Sequence, residues 1–120
     1  MMCKRHGVTI NFDQIKKLMA FDIQKKYCIE IEFAVNGSDK FGFCWMGKLP
    51  DKETGKDVYW FGLTPDGKNA FDYFTFEELS TAKVFDGKSL FEIWGDITIW
   101  GIDSCDPMER LLVYIGEENL

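Results

Sequence analysis

Residues 82–89, Ala-Lys-Val-Phe-Asp-Gly-Lys-Ser, satisfy a loose form of the phosphate-binding P-loop pattern, with Ala82 in the first glycine's place and Gly87, Lys88 and Ser89 closing it. Such a loop works because the N–H groups of a glycine-rich bend cradle phosphate oxygens, between a buried strand and a long helix. Here the bend would be Lys83-Val84-Phe85-Asp86, which has no glycine and carries a carboxylate towards the phosphates. The residues before it read as a capped helix, not a strand. The expectation is a turn at Asp86-Gly87 followed by a helix cap at Ser89, with Glu92 at the third position. No nucleotide or other cofactor is expected.

Metal chemistry is no better supported. Cys3 and His6 have a ligand-like spacing, but a zinc signature needs a second close pair, and Cys28, Cys44 and Cys105 are isolated. Asp103, Asp106 and Glu109 are close enough in sequence to suggest Mg²⁺ or Ca²⁺, yet they lack the EF-hand spacing and Asp106 has a helix to cap. No metal site is expected. The single histidine, His6, is near the terminus, and no serine or cysteine has a nucleophile's context, so no catalytic residue is assigned. Glu30 and Glu32 share one strand face and form the best-defined carboxylate pair. A pocket between sheet and helices lined by them would make this a small-molecule-binding or carboxylate-dependent enzyme domain, which is the alternative reading.

Charge narrows the partners. The net charge of −6 divides into +2 for residues 1–65 and −8 for residues 66–120. Lys4, Arg5, Lys16, Lys17, Lys25 and Lys26 gather around the first helix, but an acidic balance repels nucleic-acid phosphate and no RNP-type motif is present. Nucleic acid is not an expected partner. No apolar run approaches a membrane span, and no apolar signal-peptide core follows the basic start, so a cytoplasmic protein with free thiols is expected. The chain has eleven Phe, four Tyr and four Trp, more than one core of this size readily hides. Trp45, Tyr59, Trp60, Tyr73, Trp94 and Trp100 are the rings expected to reach the surface. Trp45, Tyr59, Trp60, Trp94 and Trp100, with Asp96 and Asp103 from the acidic half, form the candidate protein-binding set.

The elements that must position these residues follow from periodicity. Residues 1–8 read as a flexible lead-in. Asn11 caps a first helix with Gln14 closing the box, Ile10 and Ile15 stapling it, and Phe12, Ile15, Leu18 and Met19 on one face. From Tyr27 the period changes to two: Ile29, Ile31, Phe33 and Val35 alternate with polar or small residues. Asn36–Asp39 is turn chemistry, and Phe41, Phe43 and Trp45 alternate after it. A three-residue loop, Asn36–Ser38, would pair Phe33 with Phe41 and Ile31 with Phe43, putting both apolar rows on one face. A two-residue loop would put them on opposite faces, which suits only a sheet covered on both sides. The three-residue loop is expected.

Residues 49–56 read as a polar loop, Val58–Thr64 as a third strand and Lys68–Phe74 as a fourth. Pro65-Asp66-Gly67 between them should pair Phe61 with Phe71 and Tyr59 with Tyr73. Thr75 caps a short helix with Glu78, stapled by Phe74 and Leu79; Ser89 caps another; Ile97–Ile102 is a strand; Asp106-Pro107 opens a last helix. The fold class is α+β: one domain over 1–120, an antiparallel meander of four to five strands, an N-terminal helix, and two to three short C-terminal helices. The function expected is that of a small non-enzymatic accessory protein. It would bind a partner protein, or itself, through an acidic and aromatic surface, as small bacterial immunity proteins and inhibitors do.

Overall fold

In the computed structural model, residues 7–21 and 28–116 are described. Tyr27, Cys3, His6, Lys4, Arg5, Lys25 and Lys26, which entered the sequence readings above, lie outside them. Gly7 and Val8 belong to the lead-in, and Val8 exchanges two backbone hydrogen bonds with Ile99 (2.9 and 2.8 Å).

The first helix, α1 (Phe12–Met19), starts where the capping box places it. Asn11 Oδ1 accepts the Gln14 N–H at 2.8 Å, and the Gln14 side chain accepts the Asn11 N–H at 3.2 Å. Ile10 and Ile15 are both buried, as a staple requires. Among the described residues five strands follow: β1 (Ile29–Val35), β2 (Cys44–Pro50), β3 (Asp57–Gly62), β4 (Ala70–Tyr73) and, after helix α2 (Phe76–Thr81), β5 (Ile97–Ile102); helix α3 (Pro107–Ile115) is the last described element. The sheet order is β4-β3-β2-β1-β5, with every neighbouring pair antiparallel. The meander makes four strands, and β5 returns to the free side of β1. This is the expected α+β domain.

All three described α-helices cover one face. Ile15, Leu18 and Met19 of α1, Leu79 of α2 and Leu111 of α3 join Ile29, Ile31, Phe33, Cys44, Met46, Phe61, Ile97, Ile99 and Ile102 from the strands in one core. Lys48 sits in the same inward row. Its ammonium is buried, yet it donates to the carbonyls of Met19 (2.9 Å) and Phe21 (2.7 Å) and lies 3.4 Å from Asp57. A buried cation is tolerable only when paired, and the carbonyl end of a helix is where a cation is favoured.

The second hairpin keeps the expected register: Phe61 faces Phe71 and Tyr59 faces Tyr73, around a turn in which Gly67 takes φ +75°. The strands themselves are shorter than expected, since Thr64 and Lys68 belong to the turn region. The first hairpin differs. Phe33 pairs with Cys44, not Phe41, and Ile31 with Met46, not Phe43. The expected three-residue loop does not form. A tight turn centres on Asn36 and Gly37, with the Ser38 N–H on the Val35 carbonyl at 3.2 Å, the Val35 N–H donates to the Phe41 carbonyl at 2.8 Å, and the β1–β2 ladder begins only at Cys44. Phe41 still enters the core, from the loop, edge-on to Phe85 at 5.3 Å. With Phe33, Phe41, Phe61 and Phe85 already filling the space beneath the helices, the slimmer Cys44 and Met46 take the inward places of β2. A shift of three residues inverts side-chain direction. Phe43 and Trp45 therefore point to the other face, and Leu49 extends that row.

The C-terminal caps hold at Thr75, whose hydroxyl accepts the Glu78 N–H at 3.0 Å, and at Asp106, which accepts the Glu109 N–H at 3.2 Å behind Pro107. Phe74 does not staple α2 into the core: it is 68% exposed, while Leu79 is buried. Ser89 and Glu92 form the expected reciprocal pair, but no α-helix follows them. The chain makes a run of turns ending in a 3₁₀ turn at Trp94–Asp96.

Candidate functional site

The P-loop-like segment is local structure. Phe85 and Lys88 exchange backbone hydrogen bonds (2.9 and 3.1 Å) around Asp86 and Gly87, whose φ values are +53° and +88°. Two central residues with positive φ define a type I′ hairpin turn, for which Asp-Gly is a favoured pair. Lys88 is exposed, and Asp86 holds Lys40 at 2.7 Å. No helix N-terminus stands where phosphates would need one.

The acidic candidates near the C-terminus serve the framework too. Asp103 Oδ1 accepts the Glu30 N–H at 3.0 Å, while Oδ2 accepts from Arg110 Nε at 3.0 Å and the Tyr114 hydroxyl at 2.5 Å. One carboxylate thus ties β1 to α3 across a turn in which Asp103 and Ser104 both take positive φ. Burial, then the hydrogen bond to Asp103, pushes the Tyr114 phenol up to about 12. Asp106 caps α3. Among the described residues no group of three His, Cys, Asp or Glu side chains is arranged to hold a metal ion. Asp103 is therefore a structural tie rather than a surface contact. Asp96 is exposed in the 3₁₀ turn, and its carbonyl accepts the Asn36 N–H.

The aromatic candidates divide between the faces. Trp94 is committed inward: its indole donates to the Ile10 carbonyl at 2.7 Å, and its ring stands edge-on to Phe12 at 5.5 Å. Tyr59 also faces the helices. It lines a groove of about 430 Å³ between α1 and α2 with Phe12, Met19, Phe76 and Phe91. Trp45, Trp60 and Trp100 lie on the opposite face, which no described helix covers.

Two rows cross that open face. One runs Gly101, Glu32, Trp45, Gly62, Ala70; the other runs Glu30, Gly47, Trp60, Asp72. Each tryptophan of the meander stands opposite a glycine. A Cβ added to Gly47 would lie 2.6 Å from the Trp60 ring and 2.2 Å from the Ile29 carbonyl oxygen, so the indole lies directly across the glycine backbone. Large rings over facing glycines restore the contact area that glycine lacks in a strand. The Trp60 indole N–H is shielded from solvent and meets no acceptor among the described residues.

Trp100 arrives by a different device. Glu32 pairs with Gly101 and Phe33 with Ile99, so Trp100 is the extra residue of a β-bulge. It stands 46% exposed, with Phe43 at 52%. These two, with Glu32, Phe33 and Gly42, line a depression of about 530 Å³. Phe43 meets Trp45 edge-on at 5.8 Å, joining the depression to the tryptophan row.

Of the carboxylate pair, Glu32 lines this depression and Glu30 does not, so the two do not converge in one cleft. Neither lines the groove beneath the helices. Sequence reasoning missed Phe43, Gly47, Gly62 and Lys48. For the β2 residues the signal was the alternation Cys44, Met46, Lys48, which competes with the bulkier Phe41, Phe43, Trp45 frame. In comparisons with known proteins, no family model, no curated protein and no solved structure matches this chain.

Proposed function

We propose that this chain is a small non-enzymatic protein-binding module that holds a partner protein on the open face of its sheet. One observation carries the reading: exposed Trp100, Phe43 and Leu49, with half-buried Trp45 and Trp60, stand on a sheet face that no described helix covers. Rigid aromatic rings supply contact area at low entropic cost and are common interface anchors. Gly47 lies under the Trp60 ring, and a bulge presents Trp100. Binding of the kind an inhibitor or immunity protein performs needs such a surface and no catalytic group. A cytoplasmic setting fits Cys28, Cys44 and Cys105, which are free thiols. No helix among the described residues is long and apolar enough to cross a membrane.

Tagged wild-type protein and single Trp45→Ala, Trp60→Ala and Trp100→Ala variants are to be compared for partner capture in lysate, with circular dichroism confirming the fold. Loss of one discrete captured protein in all three is expected. Capture that survives all three substitutions would remove the face from the function. A second reading rests on the groove between α1 and α2, whose walls are mostly apolar and which has room for a small ligand. A rise in melting temperature with aromatic fragments, abolished by Tyr59→Ala, would select it.

A further inference from the structure

We infer that the groove between α1 and α2 binds a free aromatic α-amino acid, an inference that rests on the groove reading and names its ligand class. α1 lines the groove with Phe12, Lys16 and Met19, and α2 lines it with Phe76, Glu77 and Ser80. Its volume of about 430 Å³ lies within the range of small-ligand sites.

The bottom of the groove offers rings and no spare donor. Met19 and Ser80 are buried there, and Phe12 and Tyr59 are half-buried. The hydroxyl hydrogens are already spent within the chain. Tyr59 donates to the Met19 carbonyl at 3.4 Å, and Ser80 and Thr81 both donate to the Glu77 carbonyl, at 3.2 and 2.7 Å. Phe12 stands 5.8 Å from Phe76 and edge-on to Phe91 at 5.0 Å, while Tyr59 stands 6.4 Å from Phe76. A flat ring entering among them meets faces and edges at the spacing where aromatic pairs attract. The mouth has the opposite character. Lys16 and Glu77 are exposed there, on opposite walls and with opposite charges. Among the described residues neither side chain forms an ion pair.

A ligand that suits both regions has a ring at one end and an anionic and a cationic group at the other. An aromatic α-amino acid has that order: ring, one methylene, then a carbon bearing ammonium and carboxylate. Other occupants leave one charge opposed or unused. A fatty acid matches Lys16 but sets its head against Glu77. An aromatic amine matches Glu77 but meets Lys16. An aromatic residue within a partner's chain brings no backbone charge for either.

The test uses the full chain and four probes that share an indole ring. L-tryptophan carries both charges, 3-indolepropionate the acid alone, tryptamine the amine alone and N-acetyl-L-tryptophanamide neither. Binding is read from the Met19 methyl signal in heteronuclear NMR spectra, assigned through Met19→Leu. A saturable shift with tryptophan is expected. Exposed charge pairs are weak, so each single-charge probe should bind about two- to fivefold less tightly, and the uncharged probe about fourfold less tightly or more. Lys16→Met keeps the stem and should erase the preference over tryptamine. Glu77→Gln should erase the preference over 3-indolepropionate. Both positions are exposed, so the fold tolerates the two variants.

Tryptophan binding no tighter than any one of the other three probes would overturn the inference while leaving the groove as an aromatic site. Preferences that survive both Lys16→Met and Glu77→Gln would also sink it, since the charges would then be recognised elsewhere. No Met19 shift with any probe would end this inference and the groove reading together.

Discussion

Gly47→Ala tests the construction of the tryptophan face. Gly47 lies in the centre of the sheet, between Glu30 of β1 and Trp60 of β3. The added methyl would sit 2.2 Å from the Ile29 carbonyl oxygen and 2.6 Å from the Trp60 ring. The ring can swing away, but the carbonyl belongs to the β1–β2 ladder and moves only with it. Overpacking costs about 1–3 kcal/mol, and a clash with backbone sits at the upper end, so a loss of about 3 kcal/mol is expected. For a domain of this size that lowers the melting temperature by roughly 10 °C or more. Gly62→Ala is the matched control. Its added methyl would meet its nearest neighbours, Trp45 Cβ and a Trp60 ring carbon, at 3.9 Å, an ordinary contact. With less entropy to lose on folding, that variant should match or exceed wild type by up to about 1 kcal/mol. Urea denaturation of both, followed by tryptophan fluorescence, gives the two differences. Equal stability of Gly47→Ala and wild type would refute the placement of Trp60 across Gly47.

Further outcomes follow from individual residues. Ser89→Ala should cost about 1 kcal/mol through loss of the cap on Glu92, while Lys88→Ala at the exposed turn should change stability by less than about 0.5 kcal/mol; chemical denaturation reads both. The phenol of Tyr114 titrates higher in the folded chain than in the unfolded one, so its stabilising contribution is full below about pH 10 and is lost as pH rises towards about 12. Tyr114→Phe should lessen that alkaline loss in thermal melts between these values, with Tyr59, Tyr73 and the Cys44 thiol, also raised by burial, contributing to the remainder. Burial pushes the Cys44 thiol up to about 12, and it donates to the Phe41 and Leu63 carbonyls, so iodoacetamide should modify exposed Cys28 in the native protein and reach Cys44 only on unfolding.

The parts of this fold that were legible in the sequence are those set by short-range chemistry. Asn11, Thr75 and Asp106 each mark a helix start because a side-chain oxygen satisfies an orphan N–H within three residues. Gly67 fixes the β3–β4 register because the turn requires a left-handed residue there. The β1–β2 register was not legible, because it depends on which of two apolar frames the crowded core accepts. Phe41 and Cys44 won inward places, and Phe43 and Trp45 were turned out. The candidate site inherits that ambiguity. Of the rings expected at the surface from the aromatic excess alone, Trp100 is exposed and Trp45 and Trp60 are half-buried, while Phe43, expected in the core, is exposed. Trp94 and Asp103 were named for the wrong reason: their polar groups are spent on Ile10, and on Glu30, Arg110 and Tyr114. Such ties across 73 or 84 residues of chain leave no local sequence signal.

The most direct measurement is photo-crosslinking in living cells from two positions, with a benzophenone side chain placed at residue 45 on the open face or at residue 113 on exposed α3. The account predicts one discrete protein crosslinked from position 45 and none from position 113. Crosslinks from position 113 alone, or no protein from position 45, would contradict it.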